Sequence, residues 1–118
     1  GTQAAKTFSG PNGGIYQSVA VTAGTTYTAS AYFENFAGDA LSATGDQTDD
    51  VRLTFFDASN NNLGVFVSPT VVSGTSPSNV WTQLSVTAVA PAGATSVQFM
   101  GFLNNPNGHG GSLFIDDA

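Results

Sequence analysis

Three groups of side chains in this sequence have types and spacings that could do chemistry. The first is Asp116 and Asp117, adjacent at the end of "SLFIDDA". Like charges placed together repel, so solvent, a basic partner or a metal ion must offset the repulsion. Neighbouring side chains on a strand point to opposite faces, so a single ion meets both carboxylates only at a bulge. The second group is "GDQTDD", which puts Asp46, Asp49 and Asp50 within five residues. Three carboxylates this close could wrap a cation, but they lack the alternating ligands and distal Glu of an EF-hand loop. The other reading is a solvated acidic loop. The third group is spread over several strands: Tyr32, Glu34, Arg52, Phe56, Gln98, Met100 and Phe102.

The elements that position these residues read as strands. Helix signals are almost absent, and apolar alternation recurs at short spacing between Gly, Pro, Asn and Asp clusters. Eight strands are expected, at roughly 3–9, 14–22, 25–36, 50–58, 62–68, 79–89, 95–104 and 111–117. In "TTYTASAYFENF" one face carries Tyr27, Ala29, Ala31 and Phe33, and the other Thr28, Ser30, Tyr32, Glu34 and Phe36. Val51, Leu53 and Phe55 oppose Arg52, Thr54 and Phe56, and Val97, Phe99, Gly101 and Leu103 alternate with Gln98, Met100 and Phe102. Leu84, Val86 and Ala88 point inward, with Trp81 one step out of phase and expected to cap an edge of the core. "TAGTT" and "DASNNN" have the composition of hairpin turns, and Pro91 and Gly93 turn the chain at "APAGAT". Strands with one apolar face each can bury those faces only by pairing two sheets or closing a barrel. The expected fold is all-β: one antiparallel two-sheet sandwich of jelly-roll type over residues 1–118.

Composition narrows the function. The formal net charge is -6, with only Lys6 and Arg52 basic, which excludes a phosphate-backbone partner and attraction to an anionic membrane surface. No apolar run has the length of a membrane span. There is no cysteine, so neither disulfides nor thiol chemistry enter. A surface of Ser, Thr, Asn, Gln and Gly is common among secreted β-proteins, and any export signal would lie outside these residues. His109, in "NNPNGHGG", has no nearby Cys or second His and reads as a surface-loop residue. No G-x-S-x-G elbow is present, and Glu34 has no second carboxylate placed opposite it, as glycoside hydrolysis would need. The sequence therefore predicts a non-catalytic domain.

The order of segments resembles the jelly-roll carbohydrate-binding modules that accompany bacterial xylanases and glucanases. The resemblance rests on "QSVAVTAGTTYT", on "WTQLSVT" leading into "APAGATSV", and on the closing "IDD", and it spans most of the chain from Gln17 onward. It implies a structural calcium near the last strand, with Asp116 and then Asp117 as ligands. It also implies a polysaccharide or other glycan as partner, and secretion. Sugar sites use aromatic planes against C–H faces and planar polar groups against hydroxyl pairs. Tyr32 and Phe102 are expected to stack, with Glu34, Arg52 and Gln98 hydrogen-bonding. The other reading has Phe56, Met100 and Phe102 pack against a neighbouring subunit or fused domain. The opening strand usual in such modules has no counterpart here. That implies a fragment, or a sandwich completed by another chain as a structural or adhesive domain of an extracellular assembly such as a filament, surface layer or virion.

Overall fold

The computed structural model describes residues 5–8, 12–41, 47–69, 72–105, 107 and 112–116, the first and last strands by their backbone. The strands are β1 (Ala5–Phe8), β2 (Asn12–Ala20), β3 (Thr26–Asn35), β4 (Thr48–Phe56), β5 (Asn62–Val67), β6 (Val72–Ser73), β7 (Trp81–Val89), β8 (Ser96–Asn104) and β9 (Ser112–Asp116). One sheet has the order β1-β9-β3-β7. The other has the order β2-β8-β4-β5, with the short β6 paired to β4. All the pairings are antiparallel, and this interleaved order is that of a two-sheet jelly roll. Among the described residues no helix is long and apolar enough to cross a membrane.

The expected strands are present, with shifted ends. β4 starts two residues earlier than expected, at Thr48, and so takes in Asp49. The two-residue β6 is an addition to the expected strands. One group of turns differs in kind. "DASNNN" is a true hairpin between β4 and β5, but "TAGTT" and "APAGAT" each carry the chain from one sheet to the other. Gly24 and Gly93 adopt φ of +83° and +86° at these crossings, a backbone conformation that side chains with a Cβ rarely tolerate. Turn composition reports a reversal of direction and is silent about which sheet receives the next strand. In the hairpin, the Asp57 carboxylate accepts the side-chain amide of Asn61 at 3.0 Å and the N–H groups of Asn61 and Ser59 at 2.9 Å. These bonds favour the ionised form and hold its pKa below the ordinary carboxylate value, the Asn61 side chain most of all.

The core lies between the central strands, where alternate residues meet. Ala29, Ala31 and Phe33 of β3 and Leu84, Val86 and Ala88 of β7 face Val51, Leu53 and Phe55 of β4 and Val97 and Leu103 of β8. Phe33, Phe55, Leu84 and Leu103 are fully buried. Phe55 meets the edge of Phe66 at 5.8 Å between ring centroids, so β5 is anchored through an aromatic pair. Leu84→Ala should cost about 2–5 kcal/mol of unfolding free energy, the range for truncating a buried Leu. Ser85→Ala, on the solvent side of the same strand, should change it by less than about 0.5 kcal/mol. Urea denaturation of the two variants checks the assignment of faces.

Candidate functional site

Each expected glycan-contacting residue does point outward, but the residues do not share a face. Tyr32 and Glu34 lie on β3, on the exterior of the β1-β9-β3-β7 sheet. Arg52 is on β4, and Gln98 and Phe102 are on β8, on the exterior of the other sheet. The expected five-residue face is therefore split between opposite sides of the sandwich. Period-two alternation separates inside from outside, but it does not say which of the two sheets a strand joins.

On the β4–β8 exterior, Arg52 is already engaged. Its Nε and Nη2 donate to the two carboxylate oxygens of Asp50 at 2.6 and 2.9 Å. Its guanidinium carbon sits 3.9 Å from the centroid of the Phe102 ring, a cation–π contact. Asp50, far from being a solvated loop residue, has a side chain only 6% exposed beneath this arginine. The guanidinium thus covers the aromatic plane that was expected to stack on sugar. Gln98 lies in a separate row, between Ser18 and Thr54.

The exterior of the β3–β7 pair is different. Register places Tyr32 opposite Gln83 and Glu34 opposite Trp81, so the two aromatic residues occupy one diagonal of a four-residue patch and the two polar residues the other. Tyr32 is 37% exposed and Trp81 40%. Trp81 therefore belongs to the exterior platform and does not cap the core edge. Its outward phase was readable in "WTQLSVT", where Trp81 shares parity with Gln83 and Ser85. The pattern continues as Ser30 opposite Ser85 and Thr28 opposite Thr87, whose hydroxyl oxygens are 2.8 Å apart. At the platform's end Asn79 ties the loops together, donating its N–H to the Asn35 carbonyl and accepting the Ala37 N–H on its side chain, both at 3.0 Å.

On β9, Asp116 lies opposite Tyr32 by backbone register. Asp117, Asp46 and His109 fall outside the described residues. Asp49 overturns the solvated-loop reading. It is fully buried on the inner face of β4, and neither of its carboxylate oxygens has a hydrogen-bond partner. Burial, and then the nearby Asp50 charge, push its pKa up to about 8. Among the described residues no three His, Cys, Asp or Glu side chains converge as metal ligands would.

In comparison with known proteins, the chain matches no family model and no curated protein. Fold and surface together define a class, a jelly-roll sandwich with an aromatic–polar platform on the exterior of one sheet.

Asp49 also makes stability depend on pH in divalent-free buffer. Its folded pKa stands above the unfolded value, so the protonated form favours folding. That contribution is complete below about pH 4 and is lost as pH rises toward 8. Within this window the slope approaches about 1.4 kcal/mol per pH unit. The melting temperature of Asp49→Asn should therefore gain on that of the parent from pH 4 to pH 8. Parallel melts in chelator check this, and a constant gap would refute it.

Proposed function

We propose that this domain is a non-catalytic, secreted carbohydrate-binding module that takes a neutral glycan on the exterior of the β3–β7 pair. The supporting observation is the patch of Tyr32, Glu34, Trp81 and Gln83, held on two strands that pair without interruption from Thr26–Val89 to Glu34–Trp81. Two exposed aromatic planes offer apolar faces to sugar C–H groups, while the carboxylate and amide beside them suit adjacent hydroxyls. The Ser30–Ser85 and Thr28–Thr87 rows extend the strip along the strands, a shape that suits a linear chain. The net charge of -6, with Arg52 held by Asp50 on the opposite sheet, disfavours sulfated or uronic polymers.

The second reading is a structural or adhesive domain completed by a neighbouring strand, and one observation favours it. Between the sheets lies an open groove of ≈ 350 Å³, lined by Gln17, Val19, Tyr27, Leu53, Val97 and Phe99. There the inner face of β2 is uncovered, with Ile15 39% and Val19 45% exposed.

Affinity measurements on soluble oligosaccharides, chosen by glycan array, separate the two. Tyr32→Ala and Trp81→Ala should each weaken binding at least about tenfold, close to 1.4 kcal/mol. Phe102→Ala, on the other sheet, should leave it unchanged. Absence of binding to every neutral glycan, together with concentration-dependent assembly on size exclusion, would favour the structural reading.

A further inference from the structure

The interior of a sandwich should be apolar throughout, yet one end of this one is built from oxygen-bearing side chains. Asn35 closes β3 at 1% exposure, and Gln47 and Asp49 at the start of β4 are at 0%. Thr48 pairs with Asn104 and Asp49 with Leu103, so continuing that register sets Gln47 across from Asn105, which is itself 1% exposed. On the inner face Asp49 itself has Leu103 of β8 and Val72 of β6 as its cross-strand neighbours, so its carboxylate looks along the strand toward the Gln47–Asn105 end for oxygen partners. Within this end Asp49 is the exception to pairing, with both carboxylate oxygens open. Native interiors rarely leave such an atom unsatisfied, and an ion or ordered water is the usual completion. The one basic side chain described, Arg52, is directed to Asp50 on the outer face of β4 and supplies no counter-charge inside.

We infer that Asp49 is the anionic ligand of a buried cation site of the calcium class, at the Gln47–Asn105 end of the sandwich interior. The donor chemistry fits: one carboxylate near the amide side chains of Gln47 and Asn105 and the backbone oxygens of that end is a hard-oxygen environment with no imidazole or sulfur ligand. Calcium accepts an irregular set of such oxygens, whereas magnesium demands a strict octahedron and gives up its water reluctantly. The site is on a different strand from Asp116, where the family resemblance places calcium.

The test is calorimetric titration with calcium and thermal melting at pH 7 after exhaustive dialysis against chelator. Three chains are compared: the parent, Asp49→Asn and Asp116→Asn. The parent should bind calcium and melt several degrees higher when saturated, because a ligand of the native state raises apparent stability. Asp116→Asn should retain this response and Asp49→Asn should lose it, with magnesium far weaker than calcium. Should Asp49→Asn fail to fold, amide resonances of the parent decide the matter, since shifts on adding calcium should centre on 47–50 and 103–105. A parent indifferent to calcium, or a response that survives in Asp49→Asn, overturns the site. Glycan affinity is measured separately on the calcium-free chain, so failure of the cation site leaves the sugar reading standing.

Discussion

The structure depends on the mutual burial of two apolar layers, each made from alternate residues of paired strands. Phe33 and Leu84 contribute from one sheet, and Phe55 and Leu103 from the other, all out of reach of water. Because the side-chain period along a strand is two, this burial also fixes everything outside. A slip of one residue between β3 and β7 would exchange Phe33 for Tyr32, Ala31 for Ser30 and Asn35 for Glu34 on the buried face, at a cost no platform contact could offset. The positions of Tyr32, Trp81, Glu34 and Gln83 thus follow from packing on the opposite side of the same strands.

The same periodicity explains what was legible in the sequence. The inward sets of β3, β4, β7 and β8 could be read from alternation alone, as could the all-β class. What could not be read was sheet membership, which arises from non-local pairing. The strand carrying Arg52 and the strand carrying Glu34 both have an outward polar face, and nothing local to either says that those faces look in opposite directions. Trp81 was hidden by a different habit of inference, which treats a large apolar residue out of phase as belonging to the margin of the core. Its parity with Gln83 and Ser85 was the better guide, because a tryptophan on a polar face is informative where one inside is expected. Asp49 was misplaced by composition: "GDQTDD" looks like a loop, yet its last two carboxylates begin a strand. They then part, one under an arginine and one into the interior.

That parting shows how the two sides of one strand handle charge. Asp50 is nearly covered but keeps a bidentate guanidinium and the aromatic ring beneath it, so its charge stays compensated and partly wet at the arginine. Asp49, one residue earlier, is displaced through the plane of the sheet and meets no such partner. The energetic difference between the two carboxylates comes from that single inversion of direction, which the strand geometry enforces. It also means that the exterior of the β4–β8 pair is already self-satisfied. Phe102 gives its face to Arg52, whereas Tyr32 and Trp81 keep theirs exposed.

The polar end of the interior and the exterior platform meet on β3. Asn35 points inward beside Glu34, accepts the Leu41 N–H on its side-chain oxygen at 3.0 Å, and accepts the Asn79 N–H on its carbonyl. Asn79 adopts φ of 58° and leads through Val80 into Trp81. One residue therefore fixes the loop that leaves β3 and the loop that delivers Trp81 to its place opposite Glu34. A change in the interior that loosened Asn35 would reach the platform through two hydrogen bonds, with no ligand contact of its own.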